Sequence, residues 1–428
     1  MNNCINVIGA GLAGCEASYQ IAKRGIKVNL YEMKPTKMTP AHHSKNFGEL
    51  VCSNSLKSKS IENASGLLKE EMSLLDSLII KAAKSSEVKA GQALSVDREL
   101  FAQYITNEIK NNPLITVINE EVTNIPEGIT IIATGPLTTD TLSNEIAKLL
   151  DEEHLYFYDA SSPIIETNSI NFDIAFKKSR YDKGDADYIN CPFTKEEFLK
   201  FYEELVNATR VPLHDFEKEV HFEACMPIEV IAKRGMKSLT FGPMKPVGLT
   251  PPDGSKPFAV VQLRQDNAIG DLYNIVGFQT NLTFKEQERV FKMIPGLENA
   301  KIYRYGVMHR NTYINAPKHL NTYMQLKKNP NIFFAGQLSG VEGYIESSSS
   351  AIVAAINAVR LIKKAPLLEL PLSTVMGSLL NYICNASQKD FRPMNSNYGI
   401  MLNRSKDKLE IANKSLKELQ EWKDTNNE

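Results

Sequence analysis

The first thirty residues alternate apolar runs with small residues in an order that predicts a strand, a helix and a second strand. Cys4–Ile8 is a mostly apolar run typical of a short buried strand. Residues 15–23 place small and apolar side chains at helical spacing, and Gly25 follows them. Lys27–Tyr31 is a second apolar run and ends at Glu32. Two strands joined by a helix indicate an α/β fold with a parallel sheet.

A glycine-rich turn, Gly-Ala-Gly-Leu-Ala-Gly, joins this first strand to its helix. In such a turn the first glycine permits the bend, the second lets a pyrophosphate approach the backbone, and the third lets helix pack on strand. The acid after the second strand can bind ribose hydroxyls and would repel a 2′-phosphate. We therefore predict a bound FAD or NAD rather than NADP, the alternative being a glycine turn without a ligand. The predicted cofactor-binding residues here are Gly9, Ala10, Gly11, Leu12, Ala13, Gly14 and Glu32.

Two later segments favour FAD. A strand-like run at 128–132 ends in a turn of small residues, and a buried run at 331–335 leads through a glycine-rich loop into a long helix at 345–363. Such a helix can direct its positive N-terminus at a flavin ring. A site for NAD alone would not need a second cofactor-binding segment so far along the chain. The alternative is that this segment is a plain strand–loop–helix without a ligand. These segments add Thr134, Gly135, Gly336, Gln337, Gly343 and Tyr344 to the predicted cofactor-binding residues.

The nucleotide-binding pattern therefore begins near the N-terminus and finishes near the C-terminus. We predict a discontinuous, Rossmann-like FAD-binding domain formed by residues 1–155 and 325–428. Residues 156–324 would form an inserted mixed α/β domain that faces the substrate, with strands at 258–263 and 272–279 and a helix at 285–293.

Charge and composition exclude several classes of protein. Lys and Arg number 49 against 50 Asp and Glu, so the net charge of −1 excludes a wholly basic nucleic-acid coat but not a local basic patch. Basic clusters occur at 177–180, 233–234, 304–310 and 327–328, each of which could equally be a solvated face. No signal peptide is evident and no stretch approaches about 18 apolar residues. We expect a cytoplasmic protein without a membrane partner.

Six cysteines occur without a CxxC pair, which argues against zinc and, in a reducing compartment, against disulfides. Each is therefore an inert core residue or a reactive thiol. His42 and His43 are adjacent, and side chains at neighbouring extended positions point apart, so we predict no metal site. The cysteines lie at positions 4, 15, 52, 191, 225 and 384.

Longer motifs make the sequence specific. They include Glu-Leu-Val-Cys-Ser-Asn-Ser-Leu at 49–56, Cys-Met-Pro-Ile-Glu-Val at 225–230 and Arg-Tyr-Gly-Val-Met-His-Arg-Asn-Thr at 304–312. Others lie at 39–43, 66–72, 96–98, 234–235, 241–249, 262–266 and 336–344. Over nearly its whole length the chain resembles the TrmFO-like family of folate- and FAD-dependent RNA uracil-5 methyltransferases. That family is related to the GidA flavoproteins, which implies a FAD-binding domain of the GidA/glutathione-reductase type.

The resemblance implies covalent catalysis by two cysteines that match the family's pair, Cys52 and Cys225. A thiolate added at C6 of uracil makes C5 nucleophilic, and a base then removes the C5 proton. The sequence does not say which cysteine is nucleophile and which is base. A nucleophilic thiolate requires a lowered pKa, from a cation or a helix N-terminus. A buried, inert role is the alternative for both.

The resemblance also implies the other participants. FAD would carry and reduce a methylene group from 5,10-methylenetetrahydrofolate, with NADPH or NADH as electron source. His309 and Arg310 would bind the folate, with a structural histidine as the alternative, and Tyr344 would be a lid or stacking group. The expected product is 5-methyluridine at position 54 of the tRNA T-loop. A uridine of 23S ribosomal RNA is the alternative substrate, and a small-molecule flavin oxidoreductase or a non-catalytic RNA-binding protein are alternatives of other classes.

Overall fold

The computed structural model describes residues 4–39, 41–152, 155–182, 185–212, 226–389, 391–402 and 405–428. Its strands, in chain order, are β1 (Cys4–Ile8), β2 (Lys27–Tyr31), β3 (Ser55–Ser58), β4 (Glu87–Val88), β5 (Ala93–Val96), β6 (Ile115–Ile118), β7 (Thr130–Ile132), β8 (Leu155–Ala160), β9 (Ile164–Glu166), β10 (Phe176–Lys177), β11 (Ile189–Phe193), β12 (Ala259–Gln265), β13 (Leu272–Ile275), β14 (Ile302–Arg304), β15 (Met308–Tyr313), β16 (Gln325–Leu326) and β17 (Asn329–Phe334). Its helices are α1 (Leu12–Lys23), α2 (Ala64–Leu74), α3 (Leu78–Ser85), α4 (Arg98–Lys110), α5 (Asp140–Leu150), α6 (Lys195–Asn207), α7 (Ile228–Lys233), α8 (Met236–Thr240), α9 (Phe284–Phe291), α10 (Ala316–His319), α11 (Tyr344–Ile362), α12 (Val375–Asn385) and α13 (Lys408–Asn426).

The first hydrophobic core surrounds a six-stranded sheet in the order β16-β17-β7-β1-β2-β6. Strands β17, β7, β1, β2 and β6 run parallel, and β16 is antiparallel to β17. In this register Val7 pairs with Leu30 on one side and Ile131 on the other. The central strands are buried on both faces, which is why they read as apolar runs in the sequence. Both ends of the chain thus contribute to one sheet, as an FAD-binding Rossmann-like fold requires.

The second core surrounds an antiparallel sheet in the order β10-β11-β12-β13-β9-β14. Helix α6 begins with a reciprocal capping box between Thr194 and Glu197, and it packs Phe198 and Phe201 against Phe193 of the sheet. Strand β13 ends at Ile275, before the predicted end at 279. This second, mixed α/β core confirms the predicted fold class.

Gly277 explains why β13 is shorter than its apolar pattern suggests. Its φ is +76°, and a Cβ at this position would lie 2.7 Å from the Cβ of Pro243. The chain therefore turns here because only glycine tolerates both the dihedral angle and the close approach.

A two-stranded antiparallel ribbon of β8 and β15 lies where the chain leaves the first core and returns to it. The two strands pair residue for residue, from Met308 opposite Ala160 to Tyr313 opposite Leu155. The predicted domain boundary at 155/156 lies at the start of β8, and the one at 324/325 lies at the start of β16, beyond the ribbon. The division into two domains stays a prediction.

Helix α11 corrects one expectation drawn from the sequence. Its 19 residues have a mean hydropathy of 1.3 over the most apolar window, so by length and composition it could cross a membrane. The expectation that no segment reaches this length is therefore wrong. Residues 347–350 are all serine and interrupt the apolar residues of the helix, but the mean hydropathy of the window is still 1.3. In the structure 83% of the window is buried, and α11 packs against α1.

Candidate active site

The glycine-rich turn after β1 forms a cradle with one open position. Gly9 has φ +96°, and a Cβ there would lie 2.8 Å from Cα of Thr134. A Cβ on Gly14 would lie 1.7 Å from the carbonyl oxygen of Gly9, so helix and strand are in backbone contact. A Cβ on Gly11, in contrast, would meet no atom within 4 Å. Space for a ligand therefore lies against Gly11, where α1 begins without a side-chain cap and presents its N–H groups.

Glu32 holds this turn from the end of β2. One carboxylate oxygen accepts a 2.7 Å hydrogen bond from the N–H of Ala10, and the other accepts a 2.9 Å bond from the N–H of Lys34. The buried carboxylate borders a cavity of about 90 Å³ that also contacts Gly11 and Thr134. A ribose next to the cradle would meet this carboxylate, as the sequence pattern predicts.

The second glycine-rich loop brings the N-terminus of α11 to the same side of the sheet. Gly336 has φ +77°, and a Cβ there would lie 2.9 Å from the Cβ of Ala13, so the loop rests directly on α1. Gly343 has φ +112° and precedes α11, which also begins without a side-chain cap. The two glycine-rich loops are thus in contact, and each carries a helix N-terminus without a side-chain cap, which suits the polar groups of a dinucleotide.

The predicted cofactor residues divide into three groups. Those that line the first cavity are Gly9, Ala10, Gly11, Glu32 and Thr134. Those that line a second cavity, at the N-terminus of α11, are Gln337, Gly343 and Tyr344. Those that shape the turns or pack beneath them are Leu12, Ala13, Gly14, Gly135 and Gly336.

This second cavity, hereafter the central cavity, has a volume of about 240 Å³ and lies between the loop after β2, the ribbon and α11. Cys52 lines it, with its Sγ 3.6 Å from the carbonyl oxygen of Ala160. The backbone N–H of Cys52 donates a 2.8 Å hydrogen bond to the hydroxyl of Tyr344. The Cys52 thiol therefore lies directly at the N-terminus of the long helix α11.

The surroundings of Cys52 differ from those expected for a reactive thiolate. Burial raises the pKa of the Cys52 thiol well above its ordinary value, and the negative charges of Asp159 and Glu342 raise it further, while Arg98 lowers it. The lowered pKa expected from the sequence is thus absent in this structure, mainly because the thiol is buried and secondarily because Asp159 and Glu342 oppose Arg98. Cys52 rests as a neutral thiol at neutral pH.

Two arginines fix the loop that carries Cys52. Arg98, at the start of α4, pairs with Asp266 at 2.9 Å and donates a 2.7 Å hydrogen bond to the carbonyl oxygen of Cys52. Arg264, on β12 of the second core, donates to the Ser53 hydroxyl at 2.7 Å. The loop is therefore held from both cores, so its position depends on how they pack.

Several residues of the central cavity were not found by sequence reasoning. Asp159 lies on β8, outside every recognised motif, and is buried at the cavity wall. Burial raises the pKa of Glu342 to about 7, and the nearby Glu346 and Asp159 add to the effect, although Lys57 lowers it. Glu342 lies within the motif at 336–344, which by itself assigns it no role. Its position beside the second glycine-rich loop could have marked it as a candidate site residue. Its raised pKa, however, depends on burial and on residues distant in the chain, such as Asp159.

Part of the proposed machinery lies outside the described residues. Cys225 is not among them, and the described chain resumes at Met226. The N–H of Ile228 donates a 2.7 Å hydrogen bond to the carbonyl oxygen of Gln279, and Gln279 lines the central cavity. The backbone of His309 and Arg310 lies on β15, opposite Asp159 and Tyr158, but their side chains are outside the described part.

The remaining described cysteines fit an inert role. Cys15, Cys191 and Cys384 are buried, Cys4 is half-buried, and none is in a disulfide. Burial raises the pKa of each of these four thiols. Among the residues described by the structure, no group of three or more His, Cys, Asp or Glu side chains could hold a metal ion.

Comparisons with known proteins agree with this geometry. The family model described as Glucose inhibited division protein A matches residues 4–366. A protein of Bacillus pumilus (strain SAFR-032) named methylenetetrahydrofolate–tRNA-(uracil-5-)-methyltransferase TrmFO is 60% identical over 402 residues, which cover 94% of this chain and 93% of that protein. The protein of the same name from Bacillus subtilis (strain 168) is 59% identical over 93% of this chain and 92% of its own length. The structure of GidA from Aquifex aeolicus superimposes with a TM-score of 0.73 at 16% identity, over 98% of this chain and 75% of that one.

Proposed function

This chain belongs to the Glucose inhibited division protein A family, and we propose that it is a methylenetetrahydrofolate-dependent tRNA (uracil-5-)-methyltransferase. The single observation that carries the proposal is the position of Cys52. Its thiol lines a cavity at the N-terminus of α11, on the side of the sheet where the glycine cradle offers space for a dinucleotide. A small-molecule flavin oxidoreductase would need the cradle but would have no use for this thiol.

The residues present fit FAD. Gly11 leaves open space at the N-terminus of α1 for a pyrophosphate, and Glu32 borders the adjoining ribose position. Tyr344 and Gly343 lie where α11 begins, at the central cavity. When bound and reduced by NADPH or NADH, FAD would carry the methylene group of 5,10-methylenetetrahydrofolate and supply the reducing equivalents that convert it into a methyl group. The protein binds, orients and excludes water around that chemistry.

Within the central cavity we assign Cys52 to proton transfer. Its raised pKa makes it a poor resting nucleophile, because few such thiols are ionised at neutral pH. A neutral thiol cannot accept a proton, so Cys52 must first pass its own proton to a carboxylate of the cavity, Asp159 or Glu342. The thiolate that this transfer leaves is then a strong base toward the C5 proton of uracil. Cys225, which follows the family pattern at 225–230, would then attack C6.

Asp159 and Glu342 are placed to control that proton. Both border the cavity, and both raise the pKa of Cys52 through their negative charge. Glu342, with its own pKa near 7, can change charge in the working pH range. Arg98 holds the backbone of Cys52 and opposes the two acids.

The finer features of the proposal are the uridine, the folate residues and the compartment. We propose uridine 54 of the tRNA T-loop as the target rather than a uridine of 23S ribosomal RNA, and the cytoplasm as the compartment. His309 and Arg310 would contact the folate from β15, the strand that pairs with the one carrying Asp159. These assignments rest on the family motif at 304–312 and on the names of the relatives.

A methylation assay tests the proposal. The protein, FAD, NADPH and labelled methylenetetrahydrofolate are mixed with an unmodified tRNA transcript, and a transcript with cytidine at position 54 is the matched control. Label in 5-methyluridine from the first transcript alone supports the proposal. No transfer to the tRNA, or transfer to a 23S ribosomal RNA fragment instead, contradicts it.

A trapping experiment separates the roles of the two cysteines. A tRNA containing 5-fluorouridine should form a stable covalent adduct, because fluorine at C5 cannot leave as a proton does. We expect the adduct to be lost in Cys225→Ala and retained in Cys52→Ala. The reverse pattern would assign the nucleophile to Cys52.

A further inference from the structure

A second depression, the outer groove, adjoins the central cavity. Its volume is about 430 Å³ and it lies between the antiparallel strand pair β3–β5 and the second core. The two depressions share Lys57, and a smaller cavity of about 100 Å³ beside Cys52 shares Val276 with the outer groove. The lining of the outer groove includes Lys57, Gln92, Ser179, Arg180, Tyr188 and Gln262. A ligand that reaches Cys52 therefore has neighbouring space along this groove.

Among the described residues, Arg180 in the outer groove bonds only to neutral acceptors. Its guanidinium donates to the Gln262 side-chain oxygen at 2.9 Å, to the Lys245 carbonyl oxygen at 3.0 Å and to the carbonyl oxygen of Val247. No carboxylate of the described residues forms an ion pair with it. Burial lowers its pKa, as expected for a half-buried cation without a carboxylate partner among the described residues. Such a cation favours an anionic ligand.

Aromatic side chains lie beside this cation. Tyr188 lines the outer groove, and Tyr181, the residue after Arg180, is 53% exposed. The N–H of Tyr181 donates a 3.0 Å hydrogen bond to the Gly248 carbonyl oxygen, and a Cβ on Gly248 would lie 2.7 Å from the Tyr181 ring. The ring is thus supported by backbone rather than free to move. Tyr188 is partly buried, so a guanidinium here lies beside one partly buried ring in the groove and one exposed ring next to it. A guanidinium beside aromatic rings is a combination that binds single-stranded nucleotides.

We propose that the outer groove binds the nucleotide next to the target uridine, with its phosphate on Arg180 and its base against Tyr188, the aromatic ring that lines the groove. The inference rests on the proposed function and adds the RNA contact that the function needs. An enzyme that reacts at a base must take that base out of its stack, so the flanking phosphate must lie close to the cavity that receives the base. The outer groove shares Lys57 with that cavity, and Arg180, which has no carboxylate partner in the described part of the chain, fits one phosphate.

The test is the salt dependence of RNA binding by Arg180→Gln. Binding of an unmodified T-arm stem–loop transcript to the FAD-loaded protein is measured over a series of KCl concentrations. We expect affinity to fall about fivefold and the slope of log K against log salt to become shallower by about 0.7, the value for one phosphate of a single strand. The KM for this RNA should rise by the same factor, with a smaller change in kcat.

Matched variants separate this role from a structural one. Lys200→Gln removes one positive charge from the exposed face of α6 and should leave both affinity and slope unchanged. Arg180→Lys keeps the charge and should restore most of the slope, whereas a loss of packing would not be restored. An unchanged slope in Arg180→Gln, or a fall in kcat alone, would overturn the proposal.

The experiments also distinguish a failure of the groove assignment from a failure of the proposed function. If the unaltered protein methylates no tRNA, the proposed function fails, whatever Arg180 does. If it methylates tRNA and Arg180→Gln binds the transcript with unaltered salt dependence, only the groove assignment fails.

Discussion

The backbone N–H of Cys52 and the hydroxyl of Tyr344 form a 2.8 Å hydrogen bond across 292 residues of sequence. This bond joins the loop after β2 to the first residue of α11. It fixes the thiol at the helix N-terminus with a main-chain donor, so the thiol itself stays available for chemistry. The relationship makes Tyr344 a positioning residue as well as a wall of the cavity.

Tyr344→Phe should therefore impair methylation without loss of the fold. The substitution removes one hydrogen-bond acceptor from a buried donor, a change worth about 1–2 kcal/mol, or roughly tenfold in rate. Steady-state methylation of a tRNA transcript measures it. Tyr398→Phe is the control, since its hydroxyl bonds to the carbonyl oxygen of Ile61 outside the cavity. Equal losses in both variants would mean that the effect is one of general packing.

Two glycines of the cradle should respond differently to alanine. Gly14→Ala drives a Cβ into the Gly9 carbonyl and should lower the free energy of unfolding by about 3 kcal/mol or more. Gly11→Ala adds a Cβ to open space, so stability should change by less than about 1 kcal/mol while flavin content falls. Flavin absorbance per chain and urea unfolding check the pair. Full flavin content in Gly11→Ala would argue against the cradle as the pyrophosphate site.

Because of Glu71, we expect the free energy of unfolding to decrease as the pH rises from 4.5 to about 7. Its buried carboxylate accepts hydrogen bonds from the N–H groups of Val375 and Met376 and from the Ser415 hydroxyl, and so ties α2 to α12 and α13. Burial nevertheless raises its pKa to about 7 from an ordinary 4.5. Over that interval the unfolded chain releases a proton that the folded chain keeps, so the free energy of unfolding decreases as pH rises, by about 3 kcal/mol in all.

Glu71→Gln, which mimics the protonated carboxyl, should match the unaltered protein at pH 5 and be more stable than it at pH 8. Urea unfolding at the two pH values measures the difference, with Glu421→Gln on the exposed face of α13 as control. An identical pH dependence in Glu71→Gln and the unaltered protein would show that this carboxyl does not titrate in the interval.

Glu342 should govern the reactivity of Cys52. Because its negative charge raises the pKa of that thiol, Glu342→Gln should increase the thiolate fraction above pH 7, where Glu342 is ionised. We expect alkylation of Cys52 by iodoacetamide at pH 8, followed by peptide mass spectrometry, to become about threefold faster. Below pH 6 the two proteins should react alike. The exposed Glu196→Gln serves as control, and an unchanged rate at pH 8 would contradict the assigned coupling.

Local sequence pattern predicts the elements that carry the site. Cys4–Ile8 and Lys27–Tyr31 are strands with the expected bounds, and the long helix predicted at 345–363 is Tyr344–Ile362. Helix α1 begins at Leu12 rather than at 15, because the helix starts immediately after the open glycine of the cradle. These elements follow from apolar periodicity and glycine placement, which are properties of neighbouring residues.

The chemistry of the site could not be predicted in the same way. Cys52 was found through its motif, but the raised pKa of its thiol depends first on burial and then on Asp159 and Glu342, which the fold brings from β8 and from the loop before α11. Arg180 belongs to a basic cluster that equally suits a solvated face. Its significance comes from Gln262 and the carbonyl oxygens around it, none of which is close in sequence.

The strand order of the first sheet has a consequence for synthesis on the ribosome. Strand β7 pairs with β1 on one side and with β17 on the other, and β17 is made about 200 residues later. At a translation rate of 5–20 residues per second, one edge of the apolar strand β7 stays unpaired for roughly 10–40 s before β17 is synthesised. The second core, whose strands all lie within that interval, can close first. The flavin cradle therefore reaches its final support from α11 only late in translation, and nascent chains should need protection from aggregation until then.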